Sequence, residues 1–178
     1  SFLIVSEGTK TEPEYFRHFT SRRSRVQVVG ADRSTKKLLE EALRIRDLST
    51  FDYKWLIFDK DDNDDFNEAI LYAEKAGFQC AWSNESFELW FCLHFIDLRT
   101  SVSRRQYIDI LEREIRRYVP EFIYTKGGDV MYDILRKYGS QEQAVSRAQN
   151  LRLNYSGNDY ASQNPCTTVD ILVEKLRR

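Results

Sequence analysis

Short apolar runs alternate with amphipathic stretches over the first half of the chain. Phe2-Leu-Ile-Val5 is continuously apolar and is broken by Ser6-Glu7-Gly8, which predicts a strand buried on both faces and ending at Glu7. Thr11-Glu-Pro-Glu14 predicts a helix start, with Thr11 as cap, Pro13 in the first turn and Glu14 closing a capping box; the helix runs to about Arg22. Residues 25–29 read as a second strand. Residues 34–46 read as a helix with Leu38, Leu39, Ala42 and Ile45 on one face. Lys54-Trp-Leu-Ile-Phe58 is the clearest buried strand and runs directly into Asp59. Residues 65–76 form the next helix, turning Phe66, Ala69, Ile70 and Ala73 inward and stopping at Gly77. Residues 78–82 read as a fourth strand. Ser83-Asn84 then forms a turn or cap before a helix over 86–95.

This β-α-β-α order predicts an α/β fold: a mostly parallel sheet flanked by helices. The second half reads as helical. Ser103-x-x-Gln106 caps a helix to about Tyr118, and residues 129–138 form another, ended by Gly139. Ser140-x-x-Gln143 caps a third, and Asn164-Pro165 introduces the last, through Val169, Leu172, Val173 and Leu176. The polar stretch 154–163 reads as a loop. Residues 1–100 are expected to form the α/β core and residues 101–178 a helical portion packed on it, the two making one compact unit.

Composition narrows the class. The chain has 178 residues, 42% of them apolar and 13% aromatic, enough to bury a sizeable core. No apolar run approaches the roughly 18 residues of a membrane span, so no membrane association is expected. Position 1 is not methionine, which leaves room for an upstream segment. Three scattered cysteines, Cys80, Cys92 and Cys166, form no CxxC pair and read as buried inert thiols of a reduced, cytoplasmic protein. With only two histidines, a zinc site is not expected, and His94, amid aromatics, reads as a core histidine. The net charge of −1 hides asymmetry. Bases cluster at Arg22, Arg23 and Arg25, at Arg104 and Arg105, and at Arg113, Arg116 and Arg117; acids cluster at Asp59, Asp61, Asp62, Asp64 and Asp65. Each cluster alone is read as a solvated face, with Asp62 to Asp65 capping the next helix. Together they suit a metal-dependent site for a phosphate polymer.

The candidate chemistry lies at strand ends. Glu7 follows the first strand, and Asp59 and Asp61 follow the third. Ligands of open parallel sheets gather at the carboxyl ends of strands, so if these strands are neighbours the three acids converge into a hard-cation site suited to Mg²⁺ or Mn²⁺. An extended exit from the strand would turn residues i and i+2, Asp59 and Asp61, to the same side. Glu88, in an otherwise apolar run, needs either a buried partner or a place in this site. Lys10 reads either as a surface lysine or as a contact to substrate phosphate or to the metal-site carboxylates; Lys126, in Thr125-Lys-Gly-Gly128, reads either as a surface lysine or as a phosphate contact and source of transition-state charge stabilisation.

A strand ending in Glu-Gly, then a helix, and later a strand ending in Asp-x-Asp resembles the Toprim pattern of topoisomerases, primases and OLD-type nucleases. The whole arrangement is similar to the RloB-like family. The resemblance is carried by Ile4-Val-Ser-Glu-Gly-Thr-Lys-Thr-Glu-Pro-Glu-Tyr-Phe16, Phe58-Asp-Lys-Asp61, Ser83-Asn-Glu-Ser-Phe-Glu-Leu-Trp90 with His94-Phe95, and Asn164-Pro-Cys-Thr167. Ser6 and Glu85 depart from the pattern, which has a small residue (often Cys) and Pro at those places. The resemblance implies a Toprim-like core and a Mg²⁺-dependent nuclease or related phosphotransfer effector of bacterial anti-phage defence, often beside an ATPase partner. It implies Glu7 as a metal ligand or general acid-base group, and Asp59 and Asp61 as metal ligands. Glu88 and Lys126 are added to the catalytic set, and Lys10, Asn84 and Asn164 face the nucleic-acid substrate. The alternative is a non-catalytic Toprim-fold module that assembles with an ATPase. Primase or topoisomerase activity is set aside, since the chain has no zinc ribbon and no room for a DNA gate. DNA against RNA, and the oligomeric state, stay open.

Overall fold

The computed structural model describes residues 1–21, 25–127 and 129–178. Arg22 and Arg23 of the N-terminal basic cluster, the expected end of the first helix at Arg22, and Gly128 of the glycine turn lie outside the described residues.

Four strands, β1 (Phe2–Ser6), β2 (Val26–Gly30), β3 (Tyr53–Asp59) and β4 (Gln79–Asn84), pair in parallel in the spatial order β2-β1-β3-β4. Side chains alternate across a strand, so each apolar run feeds two cores. Phe2, Ile4, Trp55, Ile57 and Ala81 enter one core, and Leu3, Val5, Leu56, Phe58 and Trp82 the other. Runs without polar interruption are what a sheet covered on both faces requires. The second core is closed by α2 (Thr35–Leu43) and α3 (Phe66–Lys75). The first core takes in α1 (Thr11–Arg17), α4 (Glu88–Leu93), α5 (Arg104–Arg116), α6 (Met131–Tyr138), α7 (Gln141–Arg152) and α8 (Val169–Arg177). Residues before and after position 100 therefore share one core cluster.

α4 is the hub of that cluster. All six of its residues are buried, five of them apolar and the sixth Glu88. Phe87 and Phe91 pack edge-on against Tyr15, and the Trp90 indole N–H donates to the Tyr15 hydroxyl at 3.0 Å. Farther along the chain, Arg152 donates both Nη groups to buried Asp170, each at 2.6 Å, which ties α7 to α8.

Several boundaries differ from the sequence expectation. Thr11 is the first helical residue of α1 rather than its cap, and no side-chain cap bond forms there; the Thr11 hydroxyl lies against that of Tyr124 instead. α1 ends at Arg17, with His18 as its C-cap. Ser83 and Asn84, expected as a turn, belong to β4, because Cys166–Thr167 forms a fifth strand, β5, antiparallel to them. Two residues are too few for any periodicity, so β5 is silent in the sequence. The capping box at Ser103 and Gln106 forms as read, and Ser140 accepts from the Gln143 N–H. The cysteines are unpaired, and burial pushes the Cys80 thiol up to about 12 and Cys166 up to about 11. Among the described residues, no helix is long and apolar enough to cross a membrane.

His94 is 4% exposed, with Nδ1 2.9 Å from the Trp90 carbonyl oxygen, and it lies apart from the carboxyl edge of the sheet. Burial lowers its proton affinity to about 4 from an ordinary 6.5. The unfolded chain therefore takes up a proton first as pH falls, and the folded protein loses stability between pH 6.5 and about 4. The full loss is roughly 3 kcal/mol at 1.36 kcal/mol per unit. Urea unfolding at a series of pH values is expected to show this loss in the wild type relative to His94→Gln, which keeps a polar partner for the carbonyl. A difference between the two proteins that does not change with pH would contradict it.

Candidate functional site

The chain steps from β1 outward to β2, then returns past β1 to β3, so the crossover direction reverses between β1 and β3. That reversal opens a crevice at the carboxyl edge of a parallel sheet. Glu7 leaves β1 there, and Asp59 ends β3. The two are locked together: the Glu7 N–H donates to the Ile57 carbonyl at 2.8 Å, and the Asp59 N–H donates to Glu7 Oε2 at 3.1 Å. A cleft of about 270 Å³ opens over them. Glu7, Asp59, Asp61, Glu88, Lys10 and Lys126 all line it, joined by Glu12, Asp32 and Arg104.

Asp59 and Asp61 meet by a route other than the one expected. Asp61 has φ 36°, a left-handed conformation that Asp tolerates better than most residues, so the chain turns after Asp59 instead of continuing extended. Both carboxylates reach one guanidinium. Arg104 Nη2 donates to Asp59 Oδ2 at 3.1 Å, and Arg104 Nη1 lies 3.0 Å from Asp61 Oδ2. Arg104 opens α5, so the capped start of that helix aims it at the sheet edge. The other bases of α5 serve local pairs: Arg116 holds Glu112, and Arg113 and Arg117 hold Glu114.

Two more carboxylates approach from the helices. Glu12, in the first turn of α1, is 8% exposed. Its carboxylate lies against the Cα of Gly8, where a Cβ would fall 2.2 Å from Glu12 Oε2. A glycine after Glu7 thus makes room for a second acid. Glu88, 3% exposed in the first turn of α4, accepts a hydrogen bond from the Tyr124 hydroxyl at 3.0 Å. Lys10 and Lys126 are exposed at the rim. Gly127, at φ 76°, brings the Lys126 turn so close that a Cβ would meet the Lys10 side chain at 2.8 Å.

Asn84 and Asn164 stand apart from the cleft. The Asn84 amide donates to the Ala161 carbonyl at 2.9 Å, fastening the loop before β5. Asn164 precedes β5 on the far side of β4, joined to Pro165 by a cis peptide bond. Asp62, Asp64 and Asp65 do not line the cleft either, and Asp65 makes no side-chain cap bond to α3.

Six carboxylates and three cations line the cleft, and three of the acids, Glu12, Asp59 and Glu88, are buried. Burial raises the proton affinity of Glu7, opposed by the Asp59 N–H and Arg104. Burial, then repulsion from Glu12 and Glu88, raises Asp59 well above the usual carboxylate range, although Arg104 pulls it down. Burial, then repulsion from Glu88 and Glu7, pushes Glu12 up to about 7. Asp59 Oδ1 is buried with no hydrogen-bond partner. A charged oxygen in that state calls for a cation or a proton. An all-carboxylate donor set matches a hard divalent cation such as Mg²⁺ or Mn²⁺. Among the described residues, however, no group of three or more Asp, Glu, His or Cys side chains is set to hold a metal ion.

The sequence pointed to Glu7, Asp59 and Asp61 through strand ends. It passed over Glu12, read as part of a helix start, and named Arg104 only as one member of the basic clusters. A buried acid in the first turn of α1 has one visible sign, the Gly at position 8 that makes space for it. For the reach of Arg104 across the fold there is no local signal.

The raised proton affinity of Glu12 has a sign that can be tested without metal. The unfolded chain releases this proton near pH 4.5 and the folded chain near 7, so stability falls as pH rises through that window. The cost above pH 7 is roughly 3 kcal/mol at 1.36 kcal/mol per unit. In chelator at pH 8, Glu12→Gln is expected to unfold at higher urea than the wild type, with the gap narrowing as pH is lowered to 4.5. A gap that is constant with pH, or a less stable variant at pH 8, would contradict the raised proton affinity of buried Glu12.

A family model described as RloB-like protein matches residues 2–176, and the chain belongs to the RloB-like family. No curated protein and no solved structure matches it.

Proposed function

We propose that this RloB-like protein is a divalent-cation-dependent phosphodiesterase acting on nucleic acid, with the cleft at the β1–β3 crevice as its active site. One observation carries the reading: six carboxylates line the cleft against three cations, and a buried Asp59 oxygen has no partner. A polyanionic substrate is repelled from such a cleft unless positive charge joins the acids. Three cationic side chains at the same cleft, Lys10, Arg104 and Lys126, match the phosphates of a nucleic acid.

Glu7, Asp59 and Asp61 would hold Mg²⁺ or Mn²⁺, which supplies Lewis-acid stabilisation of charge on a phosphate when bound. The chain's own groups do the rest. Glu7, fixed by the Asp59 N–H, accepts a proton. Glu12, poised near 7, holds a proton for a leaving oxygen. Tyr124 fixes Glu88. Lys10 and Lys126 meet phosphate charge at the rim. In this reading, as the resemblance implies, the protein works in the cytoplasm in bacterial anti-phage defence, beside an ATPase partner.

A second reading, a non-catalytic module that assembles with an ATPase, is favoured by the ion pairs of Arg104, which neutralise Asp59 and Asp61 without metal. Incubation of purified protein with labelled DNA and with total tRNA, with Mg²⁺ or with chelator, separates the two. Cleavage that requires the cation is expected. Glu7→Gln is expected to lower the rate by on the order of 10²-fold or more while unfolding no earlier than the wild type. Absence of cleavage of either substrate favours the module, and near-normal cleavage by folded Glu7→Gln removes Glu7 from the chemistry.

A further inference from the structure

Arg104 does more than balance charge. Its guanidinium bridges Asp59 and Asp61 through its two terminal nitrogens, at 3.1 and 3.0 Å. That places a monovalent cation between two carboxylates of the acid cluster. The bridge is incomplete on both sides. Asp59, 7% exposed, keeps Oδ1 buried and unpartnered, and Arg104 Nε is likewise buried with no acceptor. A guanidinium has five donors in a planar fork suited to two oxygens of one phosphate or carboxylate. Here the fork is split between two residues, one of them exposed Asp61, so each carboxylate takes a single contact.

We propose that Arg104 is an exchangeable counter-ion: a divalent cation and the Arg104 guanidinium compete for Asp59 and Asp61, and the displaced guanidinium then grips a substrate phosphate at the same cleft. The proposal rests on the reading of the cleft as a cation-dependent phosphodiester site. Its chemistry is that of charge and geometry. A divalent ion brings twice the charge to the acids and can take up the orphan Asp59 oxygen, which the guanidinium does not reach. Once released, Arg104 has its Nε and one Nη free for bidentate contact with a phosphate, and Lys10 and Lys126 flank the space it enters. The half-exposed position of its side chain at the first turn of α5 allows that swing without disturbing the helix, whose cap is made by Ser103 and Gln106. Without metal the cleft is held closed to metal-like coordination, and substrate meets a neutralised acid pair. With metal, the same side chain becomes a phosphate ligand.

The test measures Mn²⁺ binding by the wild type, Arg104→Gln, Arg104→Lys and Asp59→Asn, with the free Mn²⁺ signal read by electron paramagnetic resonance. A competing cation raises the apparent dissociation constant, so Arg104→Gln, which loses the contacts to both Asp59 and Asp61, is expected to bind Mn²⁺ about tenfold or more tightly than the wild type. Arg104→Lys, which lacks the fork, is expected to fall between them, and it answers the question if the Gln variant does not fold. Asp59→Asn is expected to lose binding. In a second arm, at saturating Mn²⁺, binding of a short single-stranded oligonucleotide is expected to weaken about tenfold in Arg104→Gln. Equal or weaker Mn²⁺ binding by both Arg104 variants, with binding by the wild type, overturns the competition and leaves the cation reading standing. Unchanged oligonucleotide affinity overturns the phosphate grip. No Mn²⁺ binding by any of the four proteins overturns both the proposal and the reading it rests on.

Discussion

Carboxylates removed from water without an equal positive charge are the constraint on which this structure turns. Five acids, Glu7, Glu12, Asp59, Asp61 and Glu88, are brought to one crevice, and four of them are at least half-buried. Like charges at such range raise one another's proton affinity, and burial adds to the effect. A fold kept for its shape alone has no need of this arrangement, because the same crevice could be lined by neutral side chains at lower cost. The cost is carried by the rest of the molecule: two apolar cores, a fully buried hub helix and a sheet covered on both faces.

Those same elements set the geometry. The adjacency of β1 and β3 lets the Asp59 N–H donate directly to the Glu7 carboxylate. α4 is held among aromatic rings, so Glu88 comes to the crevice from a rigid support, and Tyr124 reaches it from the segment between α5 and α6. α5 delivers Arg104 from the second half of the chain. The site is therefore shared by residues before and after position 100, and it depends on the common core that packs the two stretches together. Cation, guanidinium and proton are three ways of meeting the same electrostatic demand, and the proposed exchange at Arg104 follows from having more than one of them available.

How much of this could be read in the sequence depended on whether a signal was local. Buried strands announce themselves as unbroken apolar runs, so β1, β3 and the acids that follow them were legible. Caps were legible where the capping residue had no competing partner, as at Ser103, and misleading at Thr11, whose hydroxyl turns to Tyr124. The meeting of Asp59 and Asp61 was anticipated for the wrong reason: a left-handed turn at Asp61, not extended geometry, brings them to one partner. Asn84, expected to face substrate, has its amide on the Ala161 carbonyl, away from the cleft. Arg104 and β5 were invisible because their partners lie far off in sequence, and nothing in the neighbouring residues encodes a contact across the fold.

The central claim is that the crevice between β1 and β3 is built to take a divalent cation on Glu7, Asp59 and Asp61. The most direct measurement is anomalous X-ray scattering from crystals of the protein grown or soaked with Mn²⁺ at pH 8. The account predicts an anomalous peak in contact with Asp59 and Glu7, with Arg104 withdrawn from the Asp59–Asp61 pair. Crystals at saturating Mn²⁺ with no peak at these carboxylates, and Arg104 still bridging them, would contradict it.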